Sequence, residues 1–227
     1  MTVTGISSMA TRQVLNELAL AYLKHSGVAV EFESVGGVDA AKRVAAGEAF
    51  DVVVLAADAI DKLAASGSVV AGSKTDLARS PVAIAVRAGA ALPDIGSEAA
   101  LRNTVLSART LGYSTGPSGV ALTKLFDRWG IAETVRVQAP AGVPVGQLVA
   151  NGEVELGFQQ LSELMHLPGI VVLGTMPPGS EIVTVFSAGL CATSVKPEAV
   201  QALLAFLRSP AALDAYRCRG MEPACPP

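Results

Sequence analysis

The sequence has few of the residues on which metal and redox chemistry depend. Among 227 residues, 4% are aromatic and 16% are charged, and there are two histidines and three cysteines. His25 and His166 lie far apart in the sequence, and neither has a companion at a ligand-like spacing. The cysteines form no metal-binding pattern either. We therefore expect no metal and no cofactor.

Basic clusters, long apolar runs and a recognisable leader are also missing. The formal net charge is -3 and no stretch gathers Lys and Arg, so we expect no nucleic-acid partner. No uninterrupted apolar run reaches the ~18 residues that indicate a membrane span. The chain begins with a strand-like segment instead of a signal peptide. We therefore expect a cytoplasmic protein, or a periplasmic one if a leader has been removed.

The cysteines are Cys191, Cys218 and Cys225. An odd number argues against a complete disulfide framework, and we expect three reduced thiols. The alternative, a bond between Cys218 and Cys225, requires an oxidising compartment.

Alternating strands and helices dominate what is present. Predicted strands at 2–6, 28–34 and 51–55 alternate with helices at 9–25, 39–47 and 58–66, which predicts a parallel α/β sheet. A loop at 67–78 leads to a second series of the same kind. We expect two βα lobes with mostly parallel sheets, 1–79 with 187–227 and then 80–186. Strands 80–86 and 181–190 are the expected links, with a ligand cleft between the lobes.

Small and polar residues follow several of the predicted strands. Ligands of parallel sheets lie beyond the carboxyl ends of the strands, often at a helix N-terminus that binds an anion. Ordinary capped turns also use such residues, so each junction alone leaves both interpretations open. Together they predict an anion site with these candidates: Ser7, Ser8, Gly36, Gly37, Ser114, Thr115, Ser118, Gly119, Val145, and the turn formed by Gln159 and Gln160.

Five short segments occur in a fixed order: Gly5 to Met9, Gly36-Gly37, Gly47 to Ala56, Gly116 to Gly119, and Gly152 to Gly157. In order and spacing they resemble the molybdate-binding branch of the type II periplasmic binding proteins, over essentially the whole chain. The resemblance implies a two-lobed fold with two hinge strands, and a ligand held at the junctions named above. The sequence departs from that branch at Phe158-Gln159-Gln160, where molybdate binders usually carry a tyrosine.

The resemblance implies a solute-binding protein for an oxyanion or a small polycarboxylate, with an ABC transporter as partner if the protein is exported. A more distant resemblance is to aconitate isomerase, which moves a proton across an allylic tricarboxylate. This alternative requires an acid/base pair. The acid/base candidates are Tyr113 and Glu163, followed by Asp39 and Lys42. Arg12 or Arg79 would bind the carboxylates of the substrate. Solvated surface positions are the competing interpretation for the charged residues.

Overall fold

The computed structural model describes residues 1–224. Short 3-10 segments lie at Met9–Thr11 and Glu133–Val135. The strands are β1 (Thr2–Ser8), β2 (Ala29–Val35), β3 (Val52–Ala56), β4 (Thr75–Arg87), β5 (Leu111–Tyr113), β6 (Arg136–Gln138), β7 (Leu156–Gln160), β8 (Ile170–Thr175), β9 (Val183–Leu190) and β10 (Glu222–Pro223). The helices are α1 (Arg12–Ser26), α2 (Gly37–Ala45), α3 (Ala57–Ala65), α4 (Glu98–Ser107), α5 (Pro117–Trp129), α6 (Val145–Asn151), α7 (Leu161–Leu164), α8 (Pro197–Leu207) and α9 (Pro210–Cys218).

The chain divides into two compact units. Unit 1 contains Met1–Arg79 and the residues from Val185 onward, and unit 2 contains Ser80–Thr184. The chain leaves unit 1 within β4 and returns to it within β9.

Unit 1 is built on three parallel strands in the order β2-β1-β3, and β9 runs antiparallel beside β3. All five residues of β3 are buried, as expected for a strand with helices on both faces. One cluster packs α1, α8 and α9 against the sheet through residues such as Leu15, Leu203 and Tyr216. The other packs α2 and α3 through Val44 and Ile60.

A buried carboxylate fixes the start of β3 in unit 1. Asp51 accepts hydrogen bonds from the Thr4 backbone N–H (2.9 Å), the Ser194 hydroxyl (2.8 Å) and the Lys196 ammonium (2.9 Å). Burial alone would raise the pKa of this carboxyl, but the hydrogen bonds from these three residues outweigh burial and hold the pKa below its usual value. The cluster therefore joins the segment after β9 to β1 and β3.

Unit 2 repeats the parallel arrangement as β6-β5-β7, and β4 is antiparallel to β7 and to β8. Phe126 of α5 packs edge-on against Phe158 of β7, with 5.5 Å between ring centroids. On the other face α6 lies very close to β7, since a Cβ at Gly157 would come within 2.4 Å of Val149 Cγ2. Glycine in β7 therefore sets how near α6 approaches the sheet.

The predicted α/β fold class is confirmed, and the element order follows the sequence pattern closely. Two local predictions were wrong. The loop at 67–78 ends earlier than expected, because β4 already begins at Thr75. Gln159 and Gln160 belong to β7 and do not form a turn, because both pair with β4 opposite Ala83 and Val82.

Two other expectations concern the membrane and the cysteines. Within residues 1–224, no helix combines the length and the apolar character that crossing a bilayer requires. The alternative bond between Cys218 and Cys225 lies outside the described residues.

Candidate functional site

The serine pair of unit 1 lies at the carboxyl end of β1. Ser7 and Ser34 are partners in the parallel register of β1 and β2, and their hydroxyl oxygens lie 2.8 Å apart. Ser7 is fully buried and its hydroxyl also donates to the Ser8 carbonyl at 3.3 Å. The Ser7 hydroxyl is therefore engaged within the protein.

Ser8 and the glycine pair come together in the same unit. A Cβ at Gly37 would lie 3.7 Å from Ser8 Cβ, and α2 begins at Gly37 without a side-chain cap. The Ser8 hydroxyl lies 3.5 Å from Thr11 Oγ1 and does not cap the helical segment that follows it. Together with Gly36, which precedes α2, the residues Ser8, Thr11 and Gly37 form a small polar junction. No side chain caps the first N–H groups of α2 at this junction.

Thr11 and Ser34 were not identified from the sequence. Thr11 follows Ser8 by three residues, the spacing of one helical turn, and its hydroxyl donates to the Ser8 carbonyl at 3.1 Å. Ser34 precedes Val35 at the end of β2, and the parallel register places it beside Ser7. The spacing of Thr11 from Ser8 can be read from the sequence directly. The position of Ser34 beside Ser7 follows only once the register of β1 and β2 is known.

The first polar junction of unit 2 is the start of α5. No side chain caps this helix, whose first residue is Pro117, a residue without an N–H. The Ser114 and Ser118 hydroxyl oxygens lie 3.4 Å apart, Ser118 is buried and Thr115 is exposed. The backbone N–H groups of Ser118 and Gly119 are therefore the first donors of α5, and the Ser118 hydroxyl, with that of Ser114 close to it, adds a further donor at this helix start.

Gly119 is required by a close approach of two backbone segments. A Cβ at this position would lie 1.7 Å from the Ser114 carbonyl oxygen. Only glycine allows the strand-to-helix turn to fold back this tightly.

The second polar junction of unit 2 connects β7 to α6 and α7. The Gln159 side-chain oxygen accepts from the Val145 N–H at 2.8 Å and from the Gly146 N–H at 3.4 Å. The Gln159 amide nitrogen donates to Glu163 Oε1 at 2.8 Å. The Val145 N–H, a candidate ligand donor, is thus already paired with Gln159.

Glu163 is the residue of this junction whose carboxyl has a raised pKa. The residue is half-buried. The removal of its carboxyl from water raises its pKa to about 7, and the hydrogen bond from Gln159 acts in the opposite direction. Near neutral pH this carboxyl therefore exists in both protonation states, as a general acid/base requires.

Gln160 and Tyr113 lie on the opposite face of β7 and β5 from Gln159. Gln160 is buried, its amide nitrogen donates to Thr184 Oγ1 at 2.8 Å, and its Oε1 has no hydrogen-bond partner among the described residues. Tyr113 is directly opposite Phe158 in the parallel register. Its ring packs edge-on against Phe126 of the α5 face. The side chains of Gln159 and Gln160 therefore point to opposite faces of the sheet and have different hydrogen-bond partners.

The remaining charged candidates are all exposed. Asp39 lies in the first turn of α2, and Lys42 in its last turn. Arg12 begins α1, and Arg79 of β4 pairs with Glu222 of β10. Asp39 lies beside the polar junction of unit 1, since a Cβ at Gly36 would lie 3.3 Å from its Oδ2.

The chain is similar to known proteins over nearly its whole length. A family model described as bacterial extracellular solute-binding protein matches residues 3–222. An aconitate isomerase of Pseudomonas sp is 40% identical over 231 residues, which cover 98% of this chain and 88% of that protein.

Solved structures show the same fold at low sequence identity. The periplasmic molybdate-binding protein of Azotobacter vinelandii has a TM-score of 0.81 at 19% identity, covering 99% of this chain and 100% of the other. The sulfate-binding protein of Mycobacterium tuberculosis H37Rv has a TM-score of 0.82 at 18% identity, covering 100% of this chain and 88% of the other. The family model confirms the solute-binding protein predicted from the sequence. The solved structures confirm the predicted two-lobed type II periplasmic binding protein fold. The chain belongs to the bacterial extracellular solute-binding protein family.

Proposed function

We propose that the chain binds a small polycarboxylate and isomerises it by an allylic proton shift of the kind that interconverts aconitate isomers. The observation that carries the proposal is the Glu163 carboxyl, whose pKa of about 7 suits proton transfer near neutral pH. The aconitate isomerase of Pseudomonas sp, 40% identical over 98% of this chain, supports the same substrate class.

The ligand's carboxylates require donors, and the start of α5 offers them. The N–H groups of Ser118 and Gly119 open a helix without a side-chain cap, and the Ser114 hydroxyl lies beside that of Ser118. Backbone and hydroxyl dipoles of this kind stabilise a negative charge without a cationic side chain. Because β5 and β7 are adjacent and parallel, their carboxyl ends share one sheet edge, and the Glu163 junction follows on the same edge.

The sequence led us to expect an acid/base pair, but one group that first accepts and then donates a proton is sufficient for the proton shift. The Glu163 carboxylate removes a proton from the methylene carbon, and the electron pair of that C–H bond delocalises over the allylic system and its carboxylates. The same carboxyl then returns a proton to the other terminal carbon, so the double bond moves and the composition is unchanged. We assign this step to Glu163 because its carboxyl has a pKa of about 7 and can both accept and donate a proton near neutral pH.

A second candidate function is anion binding without turnover, with delivery to an ABC transporter. The family match and the fold shared with molybdate- and sulfate-binding proteins favour it. It uses the same donors at α5 but gives no role to the acidity of Glu163.

Thermal unfolding with molybdate, sulfate, phosphate, citrate and both aconitate isomers tests binding, because a ligand of the folded state raises the unfolding temperature. We expect the aconitates to give the largest rise. No rise with any of these anions would contradict an anion site in the chain.

Incubation with cis- or trans-aconitate, followed by NMR, separates the two functions. We expect turnover by the wild type and a loss of at least about 100-fold in kcat for Glu163→Gln, the lower range for removing a general acid/base. Glu133→Gln is the matched control, since Glu133 is exposed in a 3-10 segment elsewhere in unit 2. Binding without turnover would favour the second function.

A further inference from the structure

The Gln159 side chain bridges two elements of unit 2. Its oxygen is held by the first two N–H groups of α6, those of Val145 and Gly146, and its nitrogen reaches Glu163 of α7. Gln159 is 3% exposed, so water has little access to either end of the amide. A side chain so enclosed loses much rotational freedom, and its contacts act as a fixed connection.

The orientation of the Gln159 amide is determined by its surroundings. If oxygen and nitrogen exchanged places, the NH₂ group would face the N–H groups of Val145 and Gly146, and donors would oppose donors. The oxygen would then face the Glu163 carboxylate, and acceptors would oppose acceptors. Only the observed orientation satisfies all of these groups, so the amide always presents a donor to Glu163.

We propose that Gln159 is a positioning residue, which holds Glu163 by Oε1 and leaves Oε2 as the oxygen that exchanges a proton with the substrate. This inference rests on the proposed function. The Gln159 N–H donates to Oε1 at 2.8 Å. When the carboxyl is protonated, that bond favours the proton on Oε2, because an oxygen that accepts from an amide keeps its carbonyl character. The direction of proton transfer is thereby set before substrate arrives.

The surroundings of Glu163 leave this role to Gln159. The segments α6, β7 and α7, with sequences VGQLVAN, LGFQQ and LSEL, contain no titratable side chain except Glu163 itself. β8, sequence IVVLGT, has none. Arg87 of β4 lies against Gly152, and His166, three residues beyond Glu163, is exposed. A neutral amide, not an ion pair, is therefore what orients the carboxyl.

Carboxyl NMR of protein labelled with ¹³C-glutamate tests the inference. The Glu163 signal is identified by its loss in Glu163→Gln. In Gln159→Met, which keeps the length of the side chain but removes its hydrogen bonds, we expect the Glu163 pKa to rise by about one unit. We expect kcat on aconitate to fall at least about tenfold while KM changes little, because the carboxyl is misplaced and not removed.

Gln147→Met is the matched control, since Gln147 is exposed on α6, and we expect neither quantity to change in it. If Gln159→Met does not fold, Gln159→Asn serves instead, because its shorter side chain cannot span α6 and Glu163. An unchanged Glu163 pKa, or an unchanged kcat, would overturn the inference. Absence of turnover in the wild type would instead contradict the proposed function, and the titration would then decide the role of Gln159 alone.

Discussion

Gly119→Ala tests the close approach at the start of α5. The added Cβ would lie 1.7 Å from the Ser114 carbonyl oxygen and 2.8 Å from its carbon, and neither atom belongs to a flexible side chain. Ordinary contact begins at 3.4 Å, so the turn and the helix must separate by about 1.7 Å. We expect the free energy of unfolding to fall by about 3 kcal/mol, the upper end of the usual cost of overpacking. The displaced N–H groups should also weaken anion binding.

Urea denaturation measures the change, and Gly116→Ala provides the control. Gly116 precedes the same helix with φ of -78°, and a Cβ there would meet only Ser114 Oγ at 3.9 Å. Alanine is a poorer N-cap than glycine but stiffens the unfolded chain, so we expect a net change within about 0.5 kcal/mol. Equal stability of Gly119→Ala and the wild type would refute the reasoning about the turn.

Two further predictions concern the carboxyls of Asp51 and Glu163, whose pKa values are shifted. Asp51→Asn should cost about 2–4 kcal/mol in urea denaturation, since it removes the charge that Lys196 and Ser194 contact, whereas Asp58→Asn, at an exposed residue of α3, should change little. The pKa of Asp51 is lowered by folding, so its contribution is present above the unfolded pKa of about 4 and is lost as pH falls below it; a stability profile flat in acid would contradict this. The pKa of Glu163 is raised to about 7, so folding favours its protonated form and stability should decline by on the order of 2 kcal/mol as pH rises from about 4.5 to 7. Glu163→Gln should remove that decline, and an identical pH profile in both proteins would refute the assignment.

Much of the fold follows from periodicity in the sequence. The apolar run of β3 and the glycine that ends α1 at Gly27, with φ of 73°, mark boundaries by local chemistry. The end of β7 was missed because Gln159 and Gln160 pair with the antiparallel β4, and the predicted loop ran too far because Ala78 pairs with the antiparallel β10. Pairing between distant segments leaves no local pattern.

The candidate site was predictable in place but not in detail. Strand ends and helix starts located Ser8, Gly37 and the α5 turn, because parallel sheets bind ligands at that edge. The role of Gln159 could not be predicted, since it depends on contact with Val145, 14 residues earlier in the chain. That contact exists because glycine at 157 lets α6 lie against β7. The raised pKa of Glu163 likewise arises from burial of its carboxyl, which the spacing of residues in the sequence does not reveal.

The most direct test of the central claim is proton NMR of trans-aconitate incubated with the protein in D₂O. We predict that cis-aconitate appears and that both isomers acquire deuterium at the allylic carbon, because the proton taken up by Glu163 exchanges with solvent before the carboxyl returns a proton to the ligand. Glu163→Gln should show neither change while still binding aconitate. Tight binding of aconitate by the wild type, with no isomerisation and no deuterium uptake, would contradict the claim.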